Sequence, residues 1–275
     1  MVMLADFIKS SDIEFIKPSE QLWLENIFKK YNGFPSLENL WKIMDEIWDE
    51  FNCDPKNLDY RVDSFYRHPV WLLNGLFTDQ HKLSISNREV FTKWVYDKKP
   101  KRVADYGGGF GSLARMIAKS CVDTKVEVIE PHPHKLAFEK AKYYKNLSYK
   151  KKLEGEYDII IATDVFEHVQ DPLGLAAETS NYLKKNGYYL IANCFQPVIK
   201  CHLPQSYHFY HTFDKALLAM NFKIVEKIIY GTVFSLDQKL NLDKSRKIEK
   251  KSKKLWLVTK YFHRRIEGYI VNFFI

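Results

Sequence analysis

Residues 102–114 read Arg102-Val103-Ala104-Asp105-Tyr106-Gly107-Gly108-Gly109-Phe110-Gly111-Ser112-Leu113-Ala114. A short apolar run, a cluster of glycines and then apolar positions at 113, 114, 116, 117 and 118 predict a strand, a sharp turn and a helix, in that order. Glycine lets the backbone turn tightly and approach a ligand where any Cβ would clash. The helix start behind it adds unpaired N–H donors. Glu130 closes the next predicted strand, VEVIE (126–130), where a carboxylate can accept from two ribose hydroxyls.

Downstream the same alternation continues. PHPHKLAFEKAKYY opens with prolines and runs on as a helix. YDIIIATD (157–164) is continuously apolar, as a parallel strand buried on both faces must be. A helix over 173–183 ends at Asn186-Gly187, and YYLIANCF (188–195) is the next strand. Helix Asp214–Met220 and strand FKIVEKIIY (222–230) follow. This pattern predicts an α/β fold with a doubly wound, three-layer sheet. Upstream, Ser19 caps a helix over Leu22, Trp23, Ile27 and Phe28 that stops at Gly33. Pro35-Ser36 opens another with Leu37, Leu40, Trp41, Met44, Ile47 and Trp48 on one stripe, ended by Asp54-Pro55. Residues 60–86 are less regular, and a helix runs from about Asn87 to Tyr96.

The 275 residues are 46% hydrophobic and 15% aromatic, enough for a full core, which excludes wholesale disorder. No apolar run approaches the ~20 residues of a membrane span. Met1–Lys9 lacks a basic leader with a small-residue cleavage site, and Cys53, Cys121, Cys194 and Cys201 form no CxxC pair, so reduced thiols and a cytoplasmic location are expected. Residues 239–275 hold 11 basic residues against Asp243, Glu249 and Glu267, which accounts for the whole net charge of +8. The remainder is neutral, which disfavours a nucleic-acid surface.

Asp105 stands two residues before Gly107, where a carboxylate can meet a cationic amino group. The fourth strand runs into Asp164-Val165-Phe166-Glu167-His168-Val169-Gln170-Asp171-Pro172. DYGGGFG, Glu130 and this EHVxDP segment together resemble the class I S-adenosylmethionine-dependent methyltransferases, over roughly residues 88–260. The resemblance implies a seven-stranded Rossmann-like sheet with an N-terminal helical cap. It implies S-adenosylmethionine as cofactor, with Asp105, Gly107 and Gly109 at its methionine part, Glu130 at its ribose, and Asp164 with Val165 near the sulfonium. The usual acidic adenine contact has no counterpart in the basic stretch Ser148–Lys152. Read alone, Gly109–Ala114 also fits the GxGxxA turn of a nicotinamide-binding reductase.

Methyl transfer needs alignment, desolvation and sometimes a base for the acceptor proton. Candidates lie beyond strands four and five: His168, and His208 or His211 within HLPQSYHFYHTFD (202–214). Some similar methyltransferases hold a divalent ion with an ExxEH set and a later histidine. Asp164, Glu167, His168 and His211 are the corresponding alternative set here, with no metal as the main expectation. Residues 1–86 are expected to cap the ligand face, with Tyr60–Phe77 nearest the cofactor. Residues 87–260 form the methyltransferase domain with a basic insertion at 231–252, and 261–275 form an apolar, basic tail that packs, dimerises or touches a membrane surface. Lys253–Lys260 resembles the family's last, antiparallel strand. That topology would put the 239–254 lysines beside the substrate mouth and implies an anionic small-molecule or carbohydrate acceptor, phosphorylated or nucleotide-linked, as in surface-polysaccharide tailoring. The competing readings are a metal-assisted RNA-end methyltransferase and a non-catalytic nucleoside-binding scaffold.

Overall fold

The computed structural model describes residues 4–270, and side chains as far as Thr259. The first hundred residues are helical: α1 (Ser10–Ile13), α2 (Pro18–Tyr31), α3 (Leu37–Glu50), α4 (Tyr60–Tyr66), α5 (Pro69–Thr78) and α6 (Lys82–Lys98). Pro18 occupies the first turn of α2, and Asn32 and Gly33 end it with left-handed backbone. In α3 the Ser36 hydroxyl accepts the Asn39 N–H at 3.3 Å, and Leu40, Ile43, Met44, Ile47 and Trp48 are buried along one stripe. The irregular stretch 60–86 is in fact α4, α5 and the start of α6, so the expected boundary at 86/87 falls inside a helix. His68 caps α5 by accepting the Val70 N–H on Nδ1, a role that periodicity does not reveal.

The sheet contains β1 (Arg102–Tyr106), β2 (Lys125–Ile129), β3 (Leu147–Lys150), β4 (Tyr157–Thr163), β5 (Leu183–Ala192), β6 (Lys223–Ile228) and β7 (Gly231–Ser235), in the spatial order β3-β2-β1-β4-β5-β7-β6. Strands β1 to β5 are parallel, and β7 runs antiparallel between β5 and β6. Helices α7 (Ser112–Ser120), α8 (Lys135–Ala141), α9 (Pro172–Ser180) and α10 (Phe213–Ala219) make the crossovers. Phe91, Trp94, Leu113 and Ile117 fill the core on one face of the sheet; Phe166, Leu173, Phe213, Leu217 and Phe234 fill it on the other. Strand order reverses at the neighbouring pair β1 and β4, so the ligand crevice of an open sheet belongs at their carboxyl ends.

The cap covers that crevice. Its core joins Phe28, Leu40, Trp48, Phe65 and Leu73 to Phe110 of the glycine turn, Leu136 of α8 and Ile199 after β5. At Gly75 of α5 an added Cβ would lie 2.5 Å from the Phe110 ring, so only glycine lets this helix approach so closely. Two salt bridges and two histidine–carboxylate contacts stitch the rim: Arg115–Asp79 at 2.6 Å, Lys140–Asp12 at 3.1 Å, His132–Asp63 at 2.8 Å and His134–Glu20 at 3.2 Å.

One topological expectation is overturned. The antiparallel strand is Gly231–Ser235, joined to β6 by a turn with left-handed Ile229, and Lys253–Lys260 lies instead in a long helix, α11 (Leu242–Ile270). Ser245, Ser252 and Trp256 recur at spacings of seven and four, so one face of α11 packs on α9, α10 and the 3-10 turn Pro204–Phe209. β7 descends from the ligand side of the sheet, so α11 begins at the far end and climbs back. The basic run is therefore the outer surface of a helix, and the insertion at 231–252 does not cross the substrate mouth. The tail expected at 261–275 continues α11 to Ile270, and its side chains lie outside the described residues.

Candidate active site

A cavity of about 1830 Å³ separates the cap from the carboxyl ends of β1, β2, β4 and β5. Typical small-ligand pockets measure about 300–1,000 Å³, so two ligands fit side by side.

At one end is the glycine turn. Gly107, Gly109 and Gly111 all have positive φ, at 69°, 51° and 73°. A Cβ on Gly107 would lie 2.6 Å from Val165, which holds the β1 turn against the β4 turn; a Cβ on Gly109 would meet no protein atom within 4 Å. The Gly109 backbone therefore borders open cavity that a ligand can fill. Its N–H donates to Glu130 Oε2 at 3.2 Å, and the His132 N–H donates to Glu130 Oε1 at 3.0 Å. The Glu130 carboxylate is thus fixed at the cavity wall with lone pairs to spare, and burial raises its pKa.

Asp105 is 1% exposed, and neither of its side-chain oxygens has a hydrogen-bond partner. Desolvation raises its pKa to about 7; Arg88 and Arg115 pull the other way, and the Ala114 N–H does so without reaching hydrogen-bond geometry. An unpartnered buried carboxyl is costly, and a cation supplied by a ligand would relieve that cost. The orphaned acid and the glycine cradle beside it suit an amino acid group bearing an ammonium, which is how the residues present fit S-adenosylmethionine. The lining around the cradle also includes Ile129, Lys151, Lys152 and Leu153, next to the basic stretch that lacked an acidic adenine contact.

Across the cavity, Asp164 follows β4 with left-handed backbone (φ 53°) and lines the wall. The Tyr230 hydroxyl donates to its Oδ2 at 3.4 Å. Dense surrounding protein raises the pKa of Asp164, and the nearby Glu167 is raised by burial and by the Asp164 charge. Glu167 is fully buried and ties two turns together: its Oε1 accepts the Cys194 N–H at 2.7 Å, and its carbonyl accepts the Leu203 N–H at 2.8 Å. Burial and these carboxyls push the Cys194 thiol up to about 12, so it is no thiolate nucleophile.

His168 lines the cavity, as its position after β4 suggests. Its Nδ1 lies 3.0 Å from the Cys201 carbonyl oxygen and 3.2 Å from the Tyr66 hydroxyl. A carbonyl only accepts, so Nδ1 carries the proton and Nε2 keeps a lone pair. Sequence reasoning passed over His202, whose Nδ1 meets the Gln196 carbonyl at 2.8 Å and whose ring stands 4.8 Å from that of His168. Burial lowers His168 to about 3, with His202 adding to it, and lowers His202 to about 4, so both rings are neutral near pH 7.

The other two histidines are displaced from the site. His208 is buried under α11, with Nδ1 3.1 Å from the Ser252 hydroxyl, because the Pro204–Phe209 turn rotates it away from the cavity. His211 is exposed beside Tyr210 and does not line the cavity. Both are corrected as catalytic candidates. Tyr66, from the cap segment expected to approach the cofactor, is the further polar group that sequence reasoning did not single out. Burial holds it a neutral phenol, and its ring packs on Trp71 at 5.0 Å. Among the described residues Glu167, His168 and His202 can bring one ligand atom each to within 4.8 Å of one another, a set that excludes Asp164 and His211.

No curated protein sequence matches the chain. Among solved structures it is similar to an O-methyltransferase family protein from Burkholderia thailandensis (14% identity, 73% of this chain and 71% of that one, TM-score 0.54) and to PigF with SAH (16%, 77% and 72%, TM-score 0.51). A match to coclaurine N-methyltransferase spans 43% of that chain, at a TM-score of 0.36. A family model described as a methyltransferase domain matches residues 80–226, more than half of the sequence. The chain therefore belongs to the methyltransferase domain family and carries the Rossmann-like fold of S-adenosylmethionine-dependent methyltransferases.

Proposed function

We propose that this enzyme transfers the methyl group of S-adenosylmethionine to an oxygen of a small molecule held between the cap and the sheet. The observation that carries the reading is the unpartnered Asp105 carboxyl beside the open Gly109 cradle, with Glu130 anchored across from it. Bound there, S-adenosylmethionine supplies an activated methyl whose departure needs no acid. Asp105 would hold the ammonium, Glu130 the ribose diol, and Asp164 with Val165 the sulfonium surroundings.

Beyond the donor, Trp41, Tyr66, Trp71 and Trp256 line the cavity. Their faces suit a sugar or another ring as acceptor body. An anionic group on the acceptor finds no support from the 239–254 run; the cations at the cavity wall are Lys17, Arg67, Arg88, Lys135, Lys151 and Lys152. His168 Nε2, with His202 beside it, would accept the hydrogen of the acceptor hydroxyl. A histidine with a pKa of about 3 is a weak base, which fits a late proton transfer. An oxygen that has just received a methyl cation is far more acidic than imidazolium, so it needs only a neutral lone pair in place. Incubating the enzyme with S-adenosylmethionine and a panel of hydroxylated sugars and phenols, with demethylated donor followed by mass spectrometry, tests this. Absence of donor binding by calorimetry on folded protein would refute it.

A metal-assisted variant draws on one observation, the convergence of Glu167, His168 and His202. Both imidazoles keep a lone pair because Nδ1–H is tied to a backbone carbonyl, as in most histidine–metal sites. A divalent ion there would acidify the acceptor hydroxyl. Metal analysis of purified protein decides between the two: full activity in chelator and no retained ion leaves the histidines acting alone.

A further inference from the structure

We infer that α11 is a docking surface for an anionic lipid bilayer. Ser245, Ser252 and Trp256 mark the side packed on the protein. At 100° per residue, Lys244, Lys247, Lys250, Lys251 and Lys254 fall on the opposite half of the helix, and all five are exposed. None of them has an ion-pair partner among the described residues, whereas the inward-leaning cations are paired, Arg246 with Asp171 and Glu249, and Lys253 with Glu249. After Asp243 in the first turn, no acidic residue shares that outer half as far as Val258. One turn beyond the lysines the surface becomes apolar, with Leu255, Leu257 and Val258 at 55%, 61% and 64% exposure.

Lysines are well hydrated in water, but a row of them followed by exposed aliphatics matches a surface that is anionic outside and apolar beneath. Lipid headgroups carrying negative charge neutralise the lysines, and the interface below them takes up the aliphatic side chains. No helix among the described residues is long and apolar enough to cross a membrane, so adsorption is the mode that this helix permits. Trp256 sits on the same turn as the aliphatics and lines the cavity, so docking through α11 brings the cavity mouth next to the bilayer. The lysines appear in no role at the donor or acceptor positions, and the inference stands whether or not the acceptor reading above is right.

The test uses the full chain and sucrose-loaded vesicles, sedimented with the protein, in two compositions: phosphatidylcholine alone, and phosphatidylcholine with about a quarter phosphatidylserine. Binding to the serine-containing vesicles that fades at high salt is expected. Each lysine contributes roughly five-fold in affinity near such a surface, so the triple reversal Lys247→Glu, Lys251→Glu, Lys254→Glu should weaken binding by about 100-fold or more. Leu257→Ser with Val258→Ser should leave the salt dependence and weaken binding further. Calorimetry with S-adenosylhomocysteine on the triple variant should match wild type, which shows that the variant is folded and separates this test from the methyl-donor reading. Equal binding to both vesicle types, no binding to either, or an unchanged triple variant would overturn the inference. Tighter, salt-sensitive binding to single-stranded RNA than to the vesicles would overturn it as well and make the lysine row a nucleic-acid surface.

Discussion

If Asp105 holds the donor's ammonium as proposed, donor binding is coupled to pH, and the size of the coupling follows from the burial of Asp105. Its carboxyl has a pKa of about 7 in the empty site because it is desolvated and unpartnered. A bound ammonium holds it ionised, so affinity must rise with pH until the free carboxyl is already charged. The factor lost at a given pH is one plus the ratio of protonated to ionised carboxyl. At about pH 8 that is close to unity, and at about pH 5.5 it is about 30, or about 2 kcal/mol. Calorimetric titration of S-adenosylhomocysteine across this range should show that weakening, with about half a proton released per ligand near pH 7. Asp105→Asn should bind at every pH about as weakly as wild type does at the acid end. Stability moves the opposite way. The folded-state pKa lies above the ordinary carboxylate value, so the folded protein takes the proton first. Its stability therefore rises as pH falls from about 7 towards about 4, and is lost in the other direction. The ligand-free Asp105→Asn protein should accordingly melt higher than wild type at about pH 8, by up to a few kcal/mol. A wild-type affinity that is flat with pH, or a slope that survives in Asp105→Asn, would refute the assignment of Asp105 to the ammonium.

The two cradle glycines should separate. Gly107→Ala drives a methyl against Val165 in a left-handed conformation and should lower stability by about 1–3 kcal/mol along with binding, read by denaturant melts. Gly109→Ala meets no protein atom, so its melt should shift by only about 1–2 kcal/mol while S-adenosylhomocysteine affinity falls far more. His168→Gln should reduce kcat by about 10²–10⁴ with donor affinity unchanged, and the wild-type rate profile should contain no histidine limb between about pH 5 and pH 9. A limb near pH 6.5 that disappears in His168→Gln would contradict a neutral, desolvated ring. Asp79→Ala removes the acceptor for Arg115 and for the Ser112 hydroxyl, and should cost about 1–3 kcal/mol and loosen the cap over the glycine turn. Unchanged melting would mean that the cap does not depend on this tie.

The parallel strands and the glycine turn were legible because a strand buried on both faces must be apolar throughout, and Ile159, Ile160 and Ile161 have no other reading. The short helices α4 and α5 were not, since seven and ten residues hold helical shape only through what they pack against. Gly75 illustrates this: in sequence it looks like a helix breaker, and its use becomes visible only when Phe110 is placed against it. The segment Lys253–Lys260 misled for a different reason. Leu255, Leu257 and Val258 mix with lysines at a period that neither helix nor strand owns. The decisive signal lay outside the segment, in the small residues Ser245 and Ser252 that let α11 lie close to α10 and to His208.

The histidines mark where sequence stops carrying the chemistry. Of the three histidines after β5 only His202 lines the cavity, and which one turns inward depends on the phase of a single 3-10 turn. Pro204 starts that turn, and three residues per turn then aim His208 at Ser252, leaving His202, just before it, at the cavity. Once there, His202 is defined less by its own position than by two backbone carbonyls, those of Gln196 and Cys201, which fix the proton on Nδ1 in both rings and leave the two Nε2 lone pairs unprotonated. A carbonyl in a loop leaves no trace in residue identity. The residue types name the chemistry available, and the backbone of the post-β5 loop decides which of them faces the cavity.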